Sequence, residues 1–514
     1  MRRVVQLLGI AAFSLFMAGC GGQNSAMSPT PNPNPTPENT PVSMSVTDTP
    51  PTGVTVLFFQ LGITDATLTT QGGTSVPLLS SSHTIPVNVT ELQTDAAFLG
   101  NANLAAGDYT GLTLTFSNPQ LTIFNGTGAT IGSGATACVN NATCTLSPST
   151  SPMMVSFTTA PFPIDLSASS PLAFMLDINL NTVIQSDLTV NLAASGGVTL
   201  SQLPIPPTGP VPGLGHVNGT IQSVVAPTGT PATGSFVIQT PDGRTFTIDD
   251  NGSTTYNYPS AVCSTANAAC LAAQQVVKVE VSFQTGGTLL ASEVDYIEAA
   301  GQTVVEGDII RLSSSGGNTV MDLILNGPYD SGQLPMGHRA TVTVPTTGVT
   351  YAIDSDEGFT IPSGLSFASA TDLNVGQEVA VAVMGSVTTA SGTNDWDPWG
   401  GRAKISFTTD SITLEPNQIT GQVNVITAGN LSFTLNTNPY YFVTPSKGAF
   451  PSWAPITITV LTTSGTTFDN FTTDTFAGVA ANDRVSIKGW VFSTPSAATN
   501  ITIAAEKVRE HQGF

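Results

Sequence analysis

Between Arg3 and Arg244 this chain carries no lysine and no arginine, a run of 240 residues. The ten acids at positions 21–243 therefore have no basic partner within their own segment. Ion pairs cannot organise whatever folds there, so hydroxyl and amide side chains and the hydrogen-bonded ladders of the backbone must. The residues for this are present, since 75 of the 514 are threonine. An anionic ligand would find no side-chain cation in this half. Over the whole chain 34 Asp and Glu outnumber 13 Lys and Arg, a net charge of −21. That balance argues against a nucleic-acid partner, because neutralising phosphates needs clustered basic residues. Only 9% of residues are charged, yet 40% are hydrophobic, enough to build a core rather than leave the chain disordered.

The apolar residues fall in strand patterns. Across 42–202, VSMSVTDT, VTVLFFQLGI, GLTLTF, PMMVSFT, PLAFMLDINL and DLTVNL alternate or run apolar, separated by Gly, Asn, Ser and Pro. No amphipathic helical period lasts three turns. This predicts an all-β chain that begins with a β-sandwich at 42–202. Residues 203–215 (LPIPPTGPVPGLG) hold five prolines in thirteen positions and read as an interdomain linker. Three repeats follow at 216–303, 304–418 and 419–514. Each opens on a short strand around a glycine (HVNGTIQSVV, VVEGDIIRL, ITGQVNVI). Each continues through a strand pair (GRTFTIDDNGSTTYNY, ATVTVPTTGVTYAI, ITITVLTTSGTTFDNF) and a strongly alternating strand (AQQVVKVEVSF, LNVGQEVAVAVMGSV, VAANDRVSIKGWVF). Each closes on an exit strand (ASEVDYIEA, GRAKISFTT, TNITIAAEKVR). About six such strands per repeat predict small barrels or sandwiches, which hide exposed edges. The modules are expected to follow one another as a string.

The first twenty residues, MRRVVQLLGIAAFSLFMAGC, combine a basic start with an apolar stretch too short for a stable transmembrane helix, and read as an export signal over 1–20. Met17-Ala18-Gly19-Cys20 resembles the bacterial lipobox, which makes Cys20 the lipidated N-terminus of the mature chain and the lipid bilayer its partner. Gly21 in place of Asp favours the outer membrane, by resemblance to diderm lipoproteins, with the protein facing the periplasm or the cell surface. Residues 21–41 form a spacer, with Pro at every second position from Pro29 to Pro37, suited to an extended polyproline chain. The four remaining cysteines form two close pairs, Cys138/Cys144 and Cys263/Cys270. An oxidising compartment permits a disulfide in each; free thiols and a metal site are the alternatives, the latter disfavoured by the scatter of His83, His216, His338 and His511.

VSMSVTDTP, VTVLFFQLGI, LAAGDYTGLTLTF and FMLDINLNTVI resemble the lipoprotein family called domain of unknown function 4382. The repeats, with their glycine-centred openings and V-x-V turns, are similar to domain of unknown function 5666. The middle repeat departs most, with Glu306-Gly307-Asp308 in its opening strand. The resemblance implies an envelope location and modular β architecture, and brings no activity with it.

Signatures of chemistry are sparse. The sequence has no Gly-x-Ser-x-Gly elbow, His-Glu-x-x-His, P-loop or dinucleotide fingerprint. Asp249 and Asp250 adjoin the turn signature Asn251-Gly252 and read as a solvated hairpin tip, while His216 and His338 read as exposed loop residues. Asp354, Asp356 and Glu357 are the best candidate cation ligands, for a structural calcium that would staple a loop; no other cofactor is expected. Trp396 and Trp399, in the loop NDWDPWG, are candidates for stacking on a glycan ring, and Trp490 reads as core. The sequence thus points to a non-catalytic, outer-membrane-anchored lipoprotein whose β modules bind or scaffold a glycan or an envelope protein. A surface fibre or adhesin subunit is the alternative, and a glycan hydrolase working through a carboxylate pair the more distant one.

Overall fold

The computed structural model describes residues 39–49, 55–79, 84–92, 94, 96–125, 129–133, 137–139, 142–166, 172–203, 215–228, 233–259, 262–284, 287–298, 303–327, 333–354, 359–389, 405–436, 457–493 and 500–510. Cys20, residues 21–38 of the expected spacer, Asp356, Glu357, Trp396 and Trp399 lie outside these residues, while residues 39–41, expected as the end of the spacer, open the first strand. No helix among the described residues is long and apolar enough to cross a membrane. The chain is all-β.

The first module contains β1 (Asn39–Thr49), β2 (Thr55–Thr70), β3 (Ser75–Leu79), β4 (Ile85–Asn88), β5 (Ala97–Ala105), β6 (Gly107–Asn125), β7 (Ala142–Leu146), β8 (Met154–Phe157), β9 (Ile164–Leu166), β10 (Leu172–Asn179) and β11 (Val198–Gln202). The long β2 and β6 pair antiparallel and carry β3, β4, β7, β8 and β9 along their edges. The second sheet runs β11-β10-β1-β5. Alternating apolar side chains, among them Phe59, Leu61 and Ile63 on β2 and Leu112, Leu114 and Phe116 on β6, meet Phe174, Leu176 and Ile178 of β10 in one core. A single 3-10 turn, Val89–Leu92, links β4 towards β5. It becomes important below.

The three repeats are three barrels of one topology. The first has β12 (His216–Thr228), β13 (Thr233–Gln239), β14 (Thr245–Asn251), β15 (Thr255–Asn257), β16 (Val276–Phe283) and β17 (Leu289–Glu298). The second has β18 (Val304–Ser315), β19 (Asn318–Gly327), β20 (Arg339–Val344), β21 (Thr350–Ile353), β22 (Glu378–Ala382), β23 (Met384–Thr389), β24 (Ile405–Thr408) and β25 (Ser411–Glu415). The third has β26 (Asn417–Thr427), β27 (Ser432–Asn436), β28 (Thr457–Leu461), β29 (Thr467–Asp469), β30 (Arg484–Ser493) and β31 (Asn500–Glu510). In the first, β12 pairs with β13, β13 with β14, β14 with β17 in parallel, β17 with β16, and β16 back with β12. The third closes the same ring through β26, β27, β28, β31 and β30. The second does so with its fifth strand split into β24 and β25. In each, a short strand (β15, β21, β29) rides parallel on the fifth. These are five-stranded Greek-key rings of the OB type, and closure removes most free edges. Sequence reading located four strands of each ring but not the second, β13, β19 or β27.

The string of separate modules expected from the sequence is not what the structure has. The sandwich touches every barrel. His216 pairs with Ala97 and joins the first barrel to the second sheet of the sandwich, and Phe98 packs edge-on against Phe246 at 5.5 Å. Gly215, the end of the linker, has φ +98, and a Cβ there would lie 1.7 Å from the Ala96 carbonyl oxygen, so the entry into the barrel is clamped. Leu57, Phe58 and Phe124 of the sandwich enclose Ile324 of the second barrel. Thr122 Oγ1 donates to the Gly337 carbonyl at 2.7 Å across the same seam. The third barrel sends Trp490 and Phe492 into the core of the second, where Trp490 stacks on Phe359 at 4.9 Å. Trp490 is core, as its strand period suggested, but largely of the neighbouring barrel.

Candidate functional site

On β18, β22 and β25 of the second barrel, odd-numbered Val305, Val379 and Ile309 and their neighbour Leu414 fill the core. Strand alternation sends the residues between them to the outer face. Three acids stand there directly opposite one another: Asp308 faces Glu378 on β22, and Glu378 faces Glu415 on β25. Opposed residues of adjacent strands hold their Cβ atoms about 4.5–5.5 Å apart, and like charges so placed repel. Asp354 extends the row; it follows β21, its N–H donates to the Leu414 carbonyl at 3.0 Å, and its side chain hydrogen-bonds Glu415. Glu306, two residues before Asp308, lies on the same face.

The other modules close over this face. The 3-10 turn of the sandwich brings Glu91, and Asn326 of β19 ties it down: Asn326 Nδ2 donates to Glu91 Oε1 at 3.1 Å and to Glu378 Oε1 at 3.2 Å. Asn88 donates to the Asn326 carbonyl at 3.1 Å. Gln418, at the start of the third barrel, donates to the Glu91 carbonyl, and its Oε1 accepts the Thr94 N–H at 2.8 Å. Asn417 accepts the Glu378 N–H at 3.0 Å and donates to Asp308 Oδ1 at 3.3 Å. From the first barrel, Lys278 on β16 acts on Glu91, Glu306 and Glu378, and Glu298 accepts the Val304 N–H at 2.7 Å. All four modules meet around these carboxyls.

So many acids around one lysine cannot all be ionised at neutral pH. Glu91 as a residue is half-buried, but its carboxyl is enclosed; burial first, then Asp308, push it up to about 8 against the pull of Lys278. Burial, with Glu91 and Asp308 behind it, holds Glu378 well above the ordinary range. Burial also raises Glu306 and, with Asp354, Glu415. Asn326 Oδ1 is buried and accepts no hydrogen bond. A neutral carboxyl O–H is a donor that such an acceptor can use, whereas a carboxylate is not.

Asp354, the expected cation ligand, stands in this carboxyl row, while its expected companions Asp356 and Glu357 lie outside the described residues. Among the described residues no three His, Cys, Asp or Glu side chains converge closely enough to hold a metal ion. The expected solvated tip at Asp249 and Asp250 needs correction. Asp250 is buried and accepts the Tyr256 hydroxyl at 2.6 Å, while Asp249, its strand neighbour, points to the other face. His216 begins β12 and His338 precedes β20; both are half-buried rather than exposed. Both expected disulfides are formed, Cys138–Cys144 and Cys263–Cys270, with Cα atoms 5.9 and 5.8 Å apart. One groove of about 560 Å³ lies on the sandwich, lined by Ser149, Ser151, Gln185, Asp187, Thr189 and Asn191 among others. There Asp187 accepts from the Thr189 N–H and hydroxyl, which hold its carboxyl below the ordinary range.

The carboxyl row was not legible as a site. Its signal was the Glu306-Gly307-Asp308 step, two acids on one face of a strand, in the repeat that departed most from its family pattern.

Residues 39–201 match the family model called Domain of unknown function (DUF4382). Residues 218–295, the first barrel, match Domain of unknown function (DUF5666). The second and third barrels share the strand order of this DUF5666 module. No curated protein matches the chain. Among solved structures, a deletion mutant of the single-stranded DNA binding protein from Thermus aquaticus is similar over 41% of this chain and 95% of that one, at 11% identity and a TM-score of 0.14. A likeness of that size has no bearing on fold or ligand.

Proposed function

We propose that this chain is a non-catalytic lipoprotein of the bacterial outer membrane, tethered through Cys20, whose β modules act as one scaffold for a partner in the envelope or outside it. The observation that carries the reading is the set of seams, through which the sandwich grips each barrel and the third barrel wedges Trp490 into the second. Modules interlocked in this way hold their outer faces in fixed relation, as a display surface needs. Two disulfides suit an oxidising compartment. Two or more acyl chains at Cys20 would anchor the body firmly, at about 0.8 kcal/mol per buried methylene. Labelled palmitate should enter the wild-type protein and not Cys20→Ala, and the variant should leave the membrane fraction. A Cys20→Ala protein that stays membrane-bound counts against the tether.

The groove around Asp187 favours a neutral, hydroxyl-rich ligand such as a saccharide, since hydroxyls, amides and a single carboxylate line it. Glycan-array binding that Asp187→Ala and Asn191→Ala weaken would support this; equal binding by the variants would remove the groove from consideration.

A further inference from the structure

We propose that the four-module junction is a proton-operated clasp: with Glu91 and Glu378 neutral, the sandwich is locked onto the second barrel, and their ionisation in alkaline solution releases the seam. The inference is independent of the membrane tether and of the groove.

The geometry has two halves. One is apolar, with Ile324 of β19 set among Leu57, Phe58 and Phe124 of the sandwich. The other begins two residues further along the same strand, where Asn326 holds Glu91 of the sandwich beside Glu378 of the barrel. A strand of the barrel therefore presents a hydrophobic grip and an acidic one to the same partner. The hydrophobic grip is indifferent to pH. The acidic grip is not, because Glu91 faces Glu306 and Asp308 on β18 and Glu378 on β22, and behind these stand Glu415 on β25 and Asp354 after β21, which act on Glu306 and Glu378 rather than on Glu91 itself. The first barrel adds a cation, Lys278, which acts on Glu91 and Glu378, and Glu298, which acts on Glu306, and the third barrel contributes the uncharged Gln418.

While neutral, Glu91 and Glu378 share the Asn326 amide without repulsion. Once both are ionised, two charges stand either side of one amide, in a row already containing Asp308 and Glu415. Separation of the modules lets water reach them. Burial raises both acids, so the closed state keeps protons that the open state gives up. The contribution of the clasp is complete below the ordinary glutamate value of 4.5 and is lost as pH rises through about 8.

The test is a distance measurement in the full chain in detergent, with spin labels at exposed Ser75 of the sandwich and Thr347 of the second barrel (Ser75→Cys, Thr347→Cys). The expected result is one narrow distance distribution at pH 6 that broadens and lengthens at pH 9.5, with a midpoint near pH 8, and a Glu91→Gln, Glu378→Gln double variant that stays narrow at both. Lys278→Met provides a second reading that leaves both acids in place. Lys278 lowers both, so its loss should move the midpoint to higher pH. An unchanged distribution in wild type overturns the proposal, as does a double variant that broadens like wild type. Closure at pH 9.5 by millimolar calcium in wild type would also overturn it, by assigning the clasp to a metal rather than to protons.

Discussion

The sandwich and the barrels solve the same problem with different chemistry. Without a cation of its own, the sandwich spends its polar side chains on neutral bonds: Thr122 to Thr145 and, across the seam, to Gly337, Thr113 to Ser156, and Asn125 to the carbonyls of Ala129 and Cys138. The barrels have ion pairs. In the second, buried Asp322 accepts from Arg339 and from Thr341 at 2.6 Å; in the third, Asp469 lies 3.4 Å from Lys507 and 3.6 Å from Arg509, and Lys488 lies 3.3 Å from Glu506. Where the two kinds of module meet, acids from both share very few cations, and protons must balance what lysine does not. A module that dispenses with cations has no ion pair of its own for salt to screen, but burial still raises Asp177 on β10 to about 6, and its Glu91 is left to a seam.

The sharpest test of this contrast is the buried pair. Arg339→Met leaves buried Asp322 with the Thr341 hydroxyl and the more distant Arg311, at 3.9 Å, and should cost about 3 kcal/mol in chemical denaturation. Thr122→Val, its counterpart in the sandwich, removes the neutral contacts to Thr145 and Gly337 and should cost about 1 kcal/mol. Equal losses would break the comparison. Trp490→Ala should cost a similar 3–5 kcal/mol by opening a cavity shared between two barrels, and should uncouple the third barrel as a separate unfolding transition. Persistence of a single transition would show that the seam is held elsewhere. Gly337→Ala forces a side chain at φ +76 to within 2.5 Å of the Phe58 ring, and should cost about 1–3 kcal/mol at the seam between sandwich and second barrel. Reducing the two disulfides should remove about 2 kcal/mol each. The smallest effect is that of salt. Raising ionic strength to about 1 M should weaken the third barrel by no more than about 1 kcal/mol, through its partly exposed pairs, and leave the sandwich unmoved. A salt-sensitive sandwich would contradict the account of its neutral bonding.

Much of the fold was legible because a strand's pattern is local. Val379 and Val381 had to face one side and Glu378 the other, and a helical period was nowhere sustained. The repeat openings at 216, 304 and 419 fall within two residues of β12, β18 and β26. The second strands, GSFVIQ, NTVMDLIL and LSFTLN, lie between the elements that the sequence pattern picked out. The acidic row escaped notice. Asp308, Glu378 and Glu415 are separated by 70 and 37 residues, and each alone reads as one acid on the solvent face of a strand.

The sequence by itself determined the all-β class, the closeness in the chain of the cysteines that pair and a run from 4 to 243 without Lys or Arg, since each depends on neighbours along the backbone. Only the tertiary structure decided that the outer face of the second barrel is an interior. Burial and register are properties of chain segments brought together from far apart, and they lift Glu91, Glu306, Glu378 and Glu415 above the ordinary carboxylate range.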